Sequence, residues 1–144
     1  MTPSHVLVPL DGSPLADEAL SHALETYDCR TTVLNVVTPL DASMSEGAVV
    51  DPGESRRAAA EERAATLVEA ARRRAEESGR NVETVVETGD PADTILSFAA
   101  EHDVDHVVMG GHGGSRSGLA ARLLGTVATT VVSEAPMTVT VVRE

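Results

Sequence analysis

The chain has 144 residues and a formal net charge of −12 at pH 7, and all eleven basic residues are arginine. That length fits one domain, 1–144, with a single hydrophobic core. A protein this acidic repels nucleic acid and anionic lipid, and no apolar run approaches the length of a membrane helix, so we expect a cytoplasmic protein that binds neither.

Short apolar runs alternate with stretches of helical spacing along the chain. The runs are bounded by Gly, Pro, Asp or Asn and predict strands at residues 5–10, 31–37, 82–87, 105–109 and 137–142. Strands that alternate with helices in this way predict a parallel sheet with right-handed crossovers, covered by helices on both faces. The sequence therefore indicates an α/β sandwich.

The predicted helices have recognisable starts and ends. Ser13 can cap the first helix and Pro14 suits its first turn. The second runs from about 54 to 78 and is ended by Gly79. A third begins after Gly89-Asp-Pro91, and the apolar spacing of Leu119, Leu123, Leu124, Val127 and Val131 predicts a fourth. Residues 39–53 have no period and predict an exposed loop.

A glycine-rich loop follows the fourth predicted strand, with glycine at 110, 111, 113, 114 and 118. Glycine lets a ligand approach the backbone closely, and a helix that follows offers free N–H groups to an anion such as phosphate. The alternative is a turn that merely connects two elements. In open parallel sheets ligands bind beyond the carboxyl ends of strands. Asp11 would therefore face the same crevice if strands one and four are neighbours.

Three separated motifs carry a family resemblance over essentially the whole chain. They are Val8-Pro-Leu-Asp11-Gly-Ser13, Gly89-Asp-Pro91-Ala, and Val108-Met-Gly-Gly-His-Gly113 leading to Leu124-Gly-Thr126. Together they resemble the universal stress protein family. The resemblance implies a Rossmann-like three-layer sandwich with a five-stranded parallel sheet of order 3-2-1-4-5, a homodimer and, in one branch, bound ATP with any Mg²⁺ arriving on the triphosphate.

Carried over residue by residue, the resemblance implies a nucleotide site. Asp11 would lie beside the adenine, Val36 would flank the base, and Thr126 would hold the phosphate end. Gly110 and Gly113 would line the ribose and phosphate, Gly125 would hold the phosphate end with Thr126, and Met109 precedes them. Apart from the resemblance, Arg116 is a candidate to add a guanidinium. The ATP-binding pattern has nine residues between its second glycine and the Gly-Ser/Thr pair. Here eleven separate Gly113 from Gly125, so the loop is two residues longer.

Several alternatives stay open at this point. Asp11 has the alternative role of capping the first helix, and Arg116 that of an exposed side chain. The chain is a stress-response regulator that binds ATP, a dimeric scaffold of the same family without ATP, or a slow ATP hydrolase with His112 as its one candidate base. A receiver domain and a Walker-type enzyme both need Lys, and a flavodoxin needs aromatic residues. We therefore expect no enzyme and no catalytic residue.

Other side chains predict little chemistry. Cys29 reads as a small residue at a strand start, and Arg72-Arg73-Arg74 as a solvated helix face. His102 and His106 are separated by a helix end, so no metal site is expected. The final strand, 137–142, is an apolar edge in the implied order and predicts antiparallel pairing with a second copy. Abundant Asp and Glu with no Lys and few aromatics favours a halophilic cytosol.

Overall fold

The fold is organised around a five-stranded parallel sheet. A computed structural model describes residues 2–39, 52–112 and 124–143. Its strands are β1 (His5–Pro9), β2 (Arg30–Val37), β3 (Glu83–Thr88), β4 (His106–Gly110) and β5 (Thr138–Val142). They are ordered β3-β2-β1-β4-β5 and all pair in parallel. The sheet order implied by the resemblance is therefore confirmed, with β3 and β5 as edges.

Two of the four helices in the described part of the chain begin at the residues that the sequence predicts, and a third is ended by its predicted glycine. The four are α1 (Pro14–Thr26), α2 (Pro52–Glu77), α3 (Pro91–Glu101) and α4 (Thr126–Glu134). Ser13 Oγ accepts a hydrogen bond from Ala16 N at 3.3 Å, as expected of an N-cap. Gly79, with φ +74°, takes the left-handed conformation that ends α2. Ser13 and Gly79 thus act as predicted.

The sheet separates two hydrophobic clusters. On one face α1 and α2 pack against the sheet, with Leu20, Val33 and Ala75 in that core. On the other face α3 and α4 pack through Ile95, Phe98 and Val131. Because successive strand residues point to opposite faces, a parallel strand buried on both faces is mostly apolar, as residues 6–9 of β1 are. The result is the expected three-layer sandwich.

Several predicted strand ends differ from the structure by one residue, and three boundaries around the two predicted loops are wrong. Gly110 is the last residue of β4 and not the first of a loop, because it pairs with Val142. The fourth helix starts at Thr126, so Leu124 is not helical; Gly125 N donates to Gly111 O at 2.6 Å and holds the chain extended there. The loop predicted at 39–53 ends earlier, since Pro52 and Gly53 belong to α2. Its residues 40–51, and positions 119–123 of the predicted fourth helix, lie outside the described residues.

One arginine ties the amino-terminal edge of the sheet together. The Arg80 guanidinium donates hydrogen bonds of 2.7 to 3.0 Å to the carbonyl oxygens of Leu24, Tyr27 and Cys29. These carbonyls lie at the end of α1 and in the turn before β2. Arg80 therefore fixes the α1–β2 connection from the segment before β3, and so fixes where α1 lies on the sheet.

Candidate functional site

A cleft of about 460 Å³ opens at the carboxyl edge of the sheet. After β1 the chain continues into α1 on one face of the sheet, and after β4 it continues toward α4 on the other face. The cleft lies between these two connections, which is where open α/β sheets bind ligands. Its walls come from the ends of β1, β2 and β4 and from α1, α2, α3 and α4. The volume lies in the range of small-molecule sites. The predicted meeting of Asp11 with the end of β4 in one crevice is confirmed.

The corner after β1 is held by local hydrogen bonds. Asp11 Oδ1 accepts from Ser13 N at 2.9 Å, which shapes the turn before α1. Gly12 has φ +85°, a conformation that other residues rarely adopt. Asn35, buried on β2, donates from Nδ2 to Leu10 O at 2.7 Å. Ser13 is thus the helix cap, and the exposed Asp11 carboxylate shapes the turn at the mouth of the cleft.

Gly110 permits the close approach of β4 and α1. A Cβ at this position would lie 2.9 Å from the carbonyl carbon of Leu15 and 3.0 Å from Ala16 N. Both atoms are backbone and cannot rotate away. The absence of a side chain at 110 is therefore required by packing as well as by the open cleft that Gly110 lines.

The start of α4 faces the cleft. Gly125 is the N-cap and supplies no side-chain hydrogen bond to the first turn. Thr126, Val127 and Ala128 all line the cleft. The first N–H groups of a helix have no partner within it and carry the positive end of its dipole. A Cβ on Gly125 would lie 3.2 Å from His112 Cα, so the two segments lie in close contact.

The structure brings together most of the predicted site. Six of the predicted residues line the one cleft: Asp11, Val36, Met109, Gly110, Gly125 and Thr126. Gly113 and Arg116 lie outside the described residues, as does most of the lengthened loop. The buried His112 also lines the cleft. The sequence reasoning missed Asn35, although a lone amide within a buried β-branched strand signals a polar partner nearby.

The wall formed by α2 was also missed. Ala60, Arg63, Ala64 and Leu67 line the cleft from this helix. Ala60 and Ala64 are buried against Val37 at the end of β2, and Arg63 is exposed. The helical spacing of the alanines predicts an apolar face but does not reveal that this face passes the end of β2.

Burial shifts the pKa of two groups outside the cleft. At the opposite edge, burial lowers the pKa of His106, whose Nε2 is 2.7 Å from Thr140 Oγ1. Burial likewise raises the pKa of the Cys29 thiol. His102 follows the end of α3 and stacks on Phe98, away from His106. Within the described ranges, no cluster of three or more His, Cys, Asp or Glu side chains is arranged to hold a metal, and no helix is long and apolar enough to cross a membrane.

A 3-2-1-4-5 parallel sheet with a cleft at its switch point defines a Rossmann-like ligand-binding domain. The sequence model of the universal stress protein family matches residues 3–143, and the chain belongs to that family. It is 31% identical to a universal stress protein of Methanocaldococcus jannaschii, over 96% of this chain and 81% of that one.

Solved structures agree with the assignment. The chain is similar to universal stress protein UspA from Lactobacillus plantarum, with a TM-score of 0.80, 28% identity and 99% of each chain covered. It is also similar to a universal stress protein in complex with cAMP, with a TM-score of 0.70, 25% identity and 99% of each chain covered.

Proposed function

We propose that the cleft binds an adenine nucleotide, with ATP as the favoured ligand, and that occupancy regulates a role in the stress response. The observation that carries the proposal is the uncapped start of α4 at Gly125, which opens into a cleft of nucleotide size. A phosphate group is the natural partner of such a helix start. A related universal stress protein whose structure contains cAMP supports an adenine nucleotide as the class of ligand.

The lining residues divide between two ends of this ligand. Gly125 and Thr126 hold the phosphates, through backbone N–H groups and one hydroxyl, while Gly113 and Arg116 extend this end in the proposal. Asp11 and Val36 lie by the base. Each hydrogen bond to a charged phosphate contributes about 1.5–3 kcal/mol. The magnesium ion that accompanies ATP in cells would bind with the triphosphate.

The test is nucleotide content and affinity. The protein is purified in high salt and denatured with chelator, and the released nucleotide is identified by mass spectrometry; affinity for added ATP is measured by titration calorimetry. Thr126→Val removes the hydroxyl and is expected to weaken ATP binding about tenfold to hundredfold, the value of one such hydrogen bond. Thr129→Val, at an exposed position of the same helix outside the cleft, is the control.

Asp11→Ala tests the base end in the same assay and is expected to lose affinity for all adenine nucleotides. Protein that is purified empty and whose stability does not respond to added ATP would refute nucleotide binding. That outcome would favour a scaffold role, with the lengthened glycine loop as the cause.

We also propose binding rather than efficient catalysis. Asp11 is the one carboxylate among the described lining residues, so the cleft has no carboxylate pair there. His112 is the candidate base for slow ATP hydrolysis. A turnover number above about 1 per second with saturating ATP and Mg²⁺ would contradict the proposal, since that rate is ordinary for enzymes.

The edge strand β5 supports a homodimer. Thr138–Val142 ends the sheet, and its valines are only partly buried by the described residues of one chain. An open apolar edge invites pairing, and antiparallel pairing of two β5 strands would cover both edges around a two-fold axis. A monomeric mass by light scattering at micromolar concentration in high salt would contradict it.

A further inference from the structure

Arg63 is the one arginine that lines the cleft among the described residues. Arg72 and Arg73 of the same helix pair with Glu69. Arg63 takes part in no ion pair or hydrogen bond within the described ranges. The Arg63 guanidinium, exposed at the cleft and without a carboxylate partner among the described residues, is therefore available to a bound ligand.

The fold places Arg63 at the base end of the proposed site. Leu67 Cδ1 would lie 3.4 Å from a Cβ on Gly12, so α2 passes over the corner after β1. Arg63 is one helical turn earlier, and α2 runs from the carboxyl edge toward the opposite edge, where β3 begins. The Arg63 side chain therefore lies above that corner, toward the open mouth of the cleft.

The phosphate end lies farther away. α2 packs on β2 and β3, whereas α4 follows β4, and β1 lies between β2 and β4. β2 and β4 are two strand spacings apart, about 10 Å, and α2 and α4 pack on opposite faces of the sheet.

A purine base in this cleft has no large aromatic partner. The chain contains one Phe, one Tyr and no Trp. Phe98 is buried in α3 against His102, and Tyr27 contacts His106 at the opposite edge. A guanidinium group is planar and weakly hydrated, so it stacks on aromatic faces. Besides aliphatic side chains, the larger planar groups that line the cleft among the described residues are this guanidinium and the imidazole of His112, which lies beside Gly125 at the phosphate end.

We propose that Arg63 is a specificity-determining residue that stacks its guanidinium on the base of the bound nucleotide. The inference rests on the proposed function. It predicts that the contribution of Arg63 to binding affinity requires the base and does not change with the number of phosphates. A phosphate-binding arginine would behave in the opposite way, with an effect that grows from AMP to ATP.

The experiment measures the affinities of the full chain for AMP, ADP, ATP and tripolyphosphate by titration calorimetry. Arg63→Met keeps the aliphatic stem and the helix propensity, and Arg63→Lys keeps the charge but not the planar face. Arg63→Met is expected to weaken binding of all three nucleotides by the same factor, about twofold to tenfold, the range of a cation–π contact. Arg63→Lys is expected to recover only part of that loss for each nucleotide, because an ammonium group has no planar face to stack. Tripolyphosphate binding is expected to stay unchanged. Arg73→Met, on an exposed turn of the same helix away from the cleft, is the control.

The outcomes separate this inference from the proposed function. Nucleotide binding that is unchanged in Arg63→Met refutes the stacking role and leaves the proposed function intact. A loss that grows with phosphate number and is rescued by Arg63→Lys refutes it as well, in favour of a phosphate contact. Wild-type protein that binds none of the nucleotides refutes both proposals. Circular dichroism and thermal melting of each variant establish that the fold is retained.

Discussion

Replacing Gly110 by alanine is expected to destabilise the domain by pushing α1 away from β4. The new Cβ would lie 2.9 to 3.0 Å from the carbonyl carbon and Cβ of Leu15 and from Ala16 N. Overpacking of this kind costs about 1–3 kcal/mol. Alanine also lowers the conformational entropy of the unfolded chain, which offsets about 0.4–1 kcal/mol of this cost. A net loss of about 1–2 kcal/mol corresponds to a Tm lower by about 3–8 °C in a domain of this size.

The measurement is urea unfolding followed by circular dichroism, with the neighbouring Gly111→Ala as control. There the new Cβ would meet Arg143 Cγ, Val141 Cγ1 and the backbone oxygen of Val142, each at 3.3 Å, which is a milder approach than the 2.9 to 3.0 Å at Gly110. We expect Gly111→Ala to change the free energy of unfolding by less than about 1 kcal/mol. If Gly110→Ala and wild type have the same free energy of unfolding, α1 and β4 are not in the close contact described.

Three further predictions concern the rest of the molecule. Arg80→Met removes three hydrogen bonds to carbonyl oxygens and is expected to cost about 2–4 kcal/mol of unfolding free energy, measured by urea unfolding; a cost below 0.5 kcal/mol, on the order of a surface substitution, would contradict it. Hydrogen bonds from the backbone N–H and hydroxyl of Ser4 lower the pKa of Asp105. A lowered folded-state pKa stabilises the protein at pH values above the unfolded-state pKa of about 4. The free energy of unfolding of wild type should therefore exceed that of Asp105→Asn at pH 7, and the difference should disappear as pH falls through the folded-state pKa. A difference that does not depend on pH would refute this. The acidic surface predicts higher stability in molar salt than in low salt, and equal melting temperatures and solubility in both would contradict a halophilic origin.

Many of the strands and helices can be predicted because their sequence patterns depend only on neighbouring residues. In β1 a continuous apolar run predicts burial on both faces, and in α1 the Ser-Pro pair predicts the helix start. Contacts with distant segments do not change these two elements, so both predictions agree with the structure. The order of the strands came from the family resemblance and not from the apolar pattern.

The missed features depend on contacts between distant segments. Leu124 continues a helical spacing, yet the bond from Gly125 N to Gly111 O keeps it outside α4. Gly110 reads as a flexible loop residue, yet pairing with β5 makes it the end of a strand. Arg63 looks like any exposed arginine of an amphipathic helix until the path of α2 past the cleft is known. Sequence spacing carries no information on these approaches.

The cleft lies where the two hydrophobic clusters, otherwise separated by the sheet, both reach solvent. Lining residues such as Ala16 belong to the cluster of α1 and α2, and Ile95 and Ala128 to the cluster of α3 and α4. A molecule seated there touches both halves at once. At a concentration one hundred times its Kd it would stabilise the folded state by about 2.7 kcal/mol. Bound ligand would then suppress opening motions in both clusters. Amide hydrogen exchange is expected to slow in the helices on both faces of the sheet when this single site is occupied.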